Sequence, residues 1–140
     1  MRVQSLILDP AYRSYTLYLL PCLGQSPLWE AHAADIASVY NDSDPGVRST
    51  ALLALREVTK RMPVHEMEVH APTFVAALED EYEFVRLAAV ASMQRLSPTT
   101  IARHEARLRR MSEDEAERER IRQLARHTLE RAGLGLMEVA

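Results

Sequence analysis

One short pattern returns four times along this chain, at a spacing of about 36 residues, the size of a two-helix repeat unit. Asp9-Pro10-Ala11-Tyr12-Arg13-Ser14 comes back as Asp44-Pro45-Gly46-Val47-Arg48-Ser49, then in shorter form as Glu83-Phe84-Val85-Arg86 and Arg120-Ile121-Arg122. Aligned on the apolar residue before the arginine (Tyr12, Val47, Val85, Ile121), the copies lie 35, 38 and 36 residues apart. The columns downstream agree in type. Four residues on stand Thr16, Ala51, Ala89 and Ala125; eight on, Leu20, Leu55, Met93 and Leu129; eleven on, Leu23, Val58, Leu96 and Ala132. Offsets of 0, 4, 8 and 11 follow one stripe of an α-helix. The small residue at offset four lets two helices approach closely, and the larger ones fill the space between layers.

Composition fits this reading. The chain has 140 residues, enough for one domain, and is 47% hydrophobic and 26% charged. Only four glycines and two phenylalanines occur, while Ala, Leu, Arg and Glu, all good helix formers, are plentiful. Helices are expected over about residues 27–41, 45–62, 64–79, 82–96, 99–111 and 113–132, with no strands. Pro27 and Pro45 stand at first-turn positions, Pro63 and Ser97-Pro98 close their helices, Ser112 with Glu115 reads as a capping box, and Gly133 reads as a C-cap.

The turn segments Asn41-Asp42-Ser43-Asp44-Pro45-Gly46-Val47-Arg48 and Leu78-Glu79-Asp80-Glu81-Tyr82-Glu83-Phe84-Val85-Arg86 resemble the inter-helix turn and second-helix start of HEAT repeats. That resemblance covers nearly the whole chain. It implies a right-handed α–α superhelix of about four repeats, at about 1–25, 26–62, 63–97 and 98–140, in a single domain. It also implies a ladder between neighbouring repeats, built from a turn Asp and an Arg six residues later. Asp42 and Arg48 have that spacing, as do Asp80 and Arg86. The first copy departs from it, with Asp9 four before Arg13, and in the fourth Ala116 stands six before Arg122, so the ladder acid is missing there. Only a stub of a helix fits before Tyr12, and Leu6-Ile7-Leu8 lacks the polar outer face of a terminal repeat. The expectation is an N-terminal cap or a portion of a longer solenoid.

The fold leaves function open. Net charge is −3, with −4 over residues 1–100 and +1 over 101–140, so no global field favours nucleic acid or an acidic membrane. No apolar run approaches a membrane span, Asp9 and Arg13 interrupt any signal-like stretch, and the lone Cys22 can form no internal disulfide. A cytoplasmic chain with no cofactor is expected. His65-Glu66 and His104-Glu105 invite comparison with deoxyhypusine hydroxylase, a HEAT-like protein that binds two irons through His-Glu pairs. Its pairs sit early in the second helix, where this chain has Arg48-Ser49 and Arg86-Leu87. No HExxH, GxSxG or glycine-rich phosphate loop occurs, and no catalytic or metal-binding residue is assigned. Glu66 and Glu68 are read as helix surface. A HEAT-like enzyme, a relative of the phycobilin lyases or metal hydroxylases, is the third-ranked reading.

Two binding readings rank above it. Arg103, Arg107 and Arg110 fall at i, i+4 and i+7 and could meet phosphate, as the basic groove of HEAT-like DNA glycosylases does, although solvated Glu–Arg pairing also explains them. The leading reading is a non-enzymatic scaffold binding another protein on the concave second-helix face. Offsets five, six and nine hold Leu17, Tyr18 and Pro21, then Leu52, Leu53 and Arg56, then Val90, Ala91 and Gln94, then Arg126, His127 and Glu130. Leu52, Arg56, Val90, Gln94 and Arg126 are the expected contacts, with packing against a neighbouring layer as the other explanation of that strip. Trp29, Tyr15, Tyr18 and Tyr82 are further aromatic candidates for contact surfaces, with core packing the favoured role for Trp29.

Overall fold

A computed structural model of the chain describes residues 36, 38–60 and 63–135. The first repeat copy, from Tyr12 to Leu23, lies outside the described residues, as do Trp29, Cys22 and most of the expected helix 27–41. The described residues are all-helical, without a strand. After a 3-10 turn at Val39–Asn41 come α1 (Pro45–Thr59), α2 (Val64–Met67), a 3-10 turn at Glu68–His70, α3 (Ala71–Ala77), α4 (Glu83–Met93), α5 (Pro98–Arg103), α6 (Glu105–Glu113) and α7 (Glu119–Arg131).

Local chemistry explains the boundaries. Asp44 caps α1 by accepting the Gly46 N–H at 2.8 Å, and Pro45 enters the first turn, where no donor is lost. The expected helix 64–79 is broken instead. Pro72 has no N–H to give the Glu68 carbonyl, and the chain tightens into the 3-10 turn ahead of it. The expected helix 99–111 is likewise split, at His104, whose φ and ψ of −113° and 17° leave the helical region. The expected capping box at Ser112 does not form. The Ser112 hydroxyl donates to the Arg109 carbonyl at 2.7 Å inside α6, and α7 begins only at Glu119. Gly133 does end α7. Its φ of 76° lets Leu134 N–H reach the Leu129 carbonyl at 2.8 Å and Gly133 N–H the Glu130 carbonyl at 3.0 Å, a full Schellman closure.

The packing follows the repeat columns. α4 lies between α1 and α7 and packs on both; α3 backs α4, and α6 backs α7. Val47, Val85 and Ile121 are buried, as are Ala51, Ala89 and Ala125, and Leu55, Met93 and Leu129. Phe74, Leu78, Ile101 and Leu108 fill the core from the other helices. Ser92 and Thr128, both seven after their anchors, are buried with hydroxyls donating to the Ala88 and Leu124 carbonyls at 2.8 and 2.7 Å, so neither leaves a polar atom unsatisfied.

Side chains also tie each turn to the next. Asp42, Asp80 and Asp114 each accept the N–H two residues on, from Asp44, Tyr82 and Ala116. Arg48 donates Nε and Nη2 to the Asp80 carboxylate at 2.9 and 3.2 Å and Nη1 to the Asp42 carbonyl at 2.8 Å. Arg86 repeats the arrangement, with both contacts to Glu117 at 2.9 Å and Nη1 on the Asp80 carbonyl at 2.8 Å. The fourth copy therefore does have its acid. Glu117 supplies it, one residue after the Ala116 that spacing singled out.

Candidate interaction groove

The face of α1, α4 and α7 left open by this packing is narrow. At about 100° per residue, the core offsets 0, 4, 8 and 11 span about 80° of the helix. Contacts with flanking helices extend burial further round, so Ala54, Ser92 and Thr128 at offset seven are buried too. Offset five lies about 140° from the anchor and is covered in α1 and α4. Leu52 and Val90 are accordingly in the core, 1% and 0% exposed, and cannot be partner contacts as the sequence suggested. Arg126, at the same offset in α7, is half-buried and is not among the lining residues of the groove that holds Arg56 and Gln94.

Offsets two, six and nine are what remains. In α1 and α4 they bring Ser49, Leu53 and Arg56 together with Leu87, Ala91 and Gln94; α7 adds Arg120 and Leu124, one before and three after its anchor. Phe84 and Ala88 complete the lining of an open groove of ≈ 450 Å³. Of the five expected contacts, Arg56 and Gln94 are in it. Leu53 and Phe84 are each 43% exposed, which is notable for large apolar side chains lining one concavity. Phe84 also stacks at a tilt on Tyr82, centroids 5.7 Å apart, and Arg48 sits 5.6 Å from the centre of the Tyr82 ring. The sequence reading had Leu53 and Ala91 within its strip. It missed Phe84, Leu87 and Leu124, whose offsets fall outside the three it followed.

The electrostatics of the groove are one-signed. Among the described residues two arginines line it and no carboxylate does. At its C-terminal edge Arg95 donates to the Lys60 carbonyl at 2.9 Å, and its guanidinium is held below its ordinary pKa by burial and then by the charge of Arg56, with Arg131 adding to the effect and Glu57 opposing it. Nearby, Arg118 pairs with Glu83 and Arg122 with Glu119.

Arg107 forms an ion pair with Glu79 at 2.7 Å and donates to the Leu78 carbonyl at 2.8 Å, while Arg103 and Arg110 are exposed. The break at His104 removes the continuous helix that would have set the three on one face. Glu68 is not free helix surface. It accepts the Ser97 N–H at 2.6 Å and the Thr100 hydroxyl, so an acid from the turn before α3 closes the start of α5. His65 is exposed, and burial lowers the pKa of the half-buried His70. Among the described residues no three His, Cys, Asp or Glu side chains converge as a metal site would need, and no helix is long and apolar enough to cross a membrane. In comparisons with known proteins, no family model matches the chain and no curated protein matches it.

Proposed function

We propose that this chain is a cytoplasmic, non-enzymatic scaffold of HEAT-like repeats that binds another protein in the groove across α1, α4 and α7. The observation that carries the reading is the exposed pair Leu53 and Phe84, drawn from α1 and α4 into one open concavity. Apolar side chains gathered in a groove suit a macromolecular partner, since scattered ones need no explanation. The side-by-side packing of α1, α4 and α7 and the Arg48–Asp80 and Arg86–Glu117 links support the HEAT-like arrangement. Each added repeat in such an array extends the surface without changing the fold. Nucleic-acid binding through Arg103, Arg107 and Arg110 is the less favoured reading, because Arg107 is already engaged.

The test is photo-cross-linking in lysate of the native host, with the reactive side chain placed at position 53, 91 or 69. Val69 is 74% exposed and is not among the lining residues of the groove. One protein cross-linked from 53 and 91, absent from 69 and lost on Phe84→Glu, would support the groove. Equal labelling from all three positions, or nucleic acid recovered in place of protein, would overturn it.

A further inference from the structure

We infer that the occupant of the groove is an acidic amphipathic helix of a partner protein, its apolar stripe on Leu53, Phe84, Leu87 and Leu124 and its carboxylates against Arg56 and Arg120. This rests on the reading of the groove as a protein-binding surface and adds the chemistry of the partner.

Three observations lead to it. The first is Arg120. It stands in the first turn of α7, where the helix dipole disfavours a cation. It is exposed and forms no hydrogen bond or ion pair among the described residues, whereas Arg118 and Arg122 on either side each hold a carboxylate. Glu83 lines an adjoining depression with Arg120, Phe84 and Leu87, but its carboxylate is held by Arg118. Arg56, by contrast, lies in the last turn of α1, where the dipole favours it, so its position alone argues less. The second observation is the sign of the groove: two arginines, one glutamine and no acid among the described residues that line it, in a chain whose net charge is −3. A lining opposite in sign to the rest of the molecule selects an acidic partner and repels a basic one.

The third is shape. The described residues contain no strand, so no open edge exists for an extended peptide to join by main-chain hydrogen bonds. A helix satisfies its own backbone and can lay an apolar stripe in a trough. Helices packed 8–10 Å apart put the outer two of three about 16–20 Å apart. At 1.5 Å per residue that span takes a helix of about 11–13 residues, roughly three turns. DNA fits less well: the floor is apolar, and two cations would neutralise few phosphates.

The experiment is selection from a displayed library of helical peptides with a fixed leucine stripe and randomised flanking positions, against the full chain and its Leu53→Ser variant. The expected result is enrichment of acidic sequences on the wild type only. The best peptide should lose about tenfold or more in affinity on Arg56→Glu/Arg120→Glu, and a Lys-flanked counterpart should gain. Enrichment of neutral or basic helices, still dependent on Leu53, would overturn the charge assignment and leave the groove reading standing. No enrichment over Leu53→Ser would overturn both. Retention of a mixed-sequence DNA duplex, lost on Arg120→Glu, would assign the cations to phosphate and overturn the inference.

Discussion

Arg48 grips Asp80 across 32 residues of sequence, through two nitrogens at 2.9 and 3.2 Å, with only 13% and 5% of the two side chains exposed. It joins the turn before α1 to the turn before α4. Tyr40 lies against the same pair, its hydroxyl pKa raised by burial and then by the charge of Asp80. A planar fork on a carboxylate is a geometry that lysine cannot reproduce. Arg48→Ala should cost about 2–4 kcal/mol, because it strands a buried carboxylate. Arg48→Lys should recover only part of that. Arg118→Ala, which removes an exposed, solvent-screened pair with Glu83, should cost much less than Arg48→Ala. Urea denaturation of the three variants is the check.

Arg86 and Glu117 should be coupled in the same way. A double-mutant cycle between Arg86→Ala and Glu117→Ala should return an interaction of about 1–3 kcal/mol. Pairing Arg86→Ala with Glu115→Ala, an exposed neighbour, should return close to zero.

That pair also marks where sequence reasoning stopped. The anchor and alanine columns were legible because each places one residue type on one stripe of a helix buried against its own layer. The acid of the fourth copy was not. In the turn before α4, Asp80 both closes the turn and receives Arg48. In the turn before α7, Asp114 closes the turn eight residues before Arg122 and Glu117 receives Arg86, so a count of six from Arg122 lands on Ala116. The groove was half legible for a similar reason. A period of 3.6 locates the buried stripe, yet how far burial extends round the helix depends on flanking neighbours that the period does not encode. That is why Leu53 is open and Leu52, the next residue back, is closed.

Acid should weaken the fold at two of these links. Burial works against ionisation of Asp80, but hydrogen bonds from Arg48 and the Tyr82 N–H, with the charges of Arg48 and Arg86, hold its carboxyl below the usual value. Glu68 is likewise pushed up by burial and pulled further down by Thr100, Ser97 and the charge of Arg103. A carboxyl lower in the folded than in the unfolded chain contributes stability that is present above its unfolded pKa, about 3.9 for Asp and 4.3 for Glu, and is lost as pH falls through the folded value. Stability should therefore drop as pH falls below about 4. The Asp80→Asn and Glu68→Gln variants should be less stable at neutral pH and show a shallower acid dependence, measured by denaturant midpoint between pH 7 and pH 2.5.

Gly133 should resist substitution on conformational grounds alone. A Cβ there would meet nothing within 4 Å, so the cost of Gly133→Ala comes from its φ of 76°. A loss of about 1–2 kcal/mol is expected by thermal denaturation. Gly135→Ala, with no such angle and ordinary contact at 3.9 Å, should be close to neutral.

The open face of α1 and α4 is best tested by thiol footprinting, in a Cys22→Ala background, of four variants: Leu52→Cys, Leu53→Cys, Val90→Cys and Ala91→Cys. Alkylation should be fast at 53 and 91 and at least tenfold slower at 52 and 90, where it waits on transient opening of the fold. Fast reaction at 52 and 90 with protection at 53 and 91 would contradict the groove outright and return the binding surface to offset five.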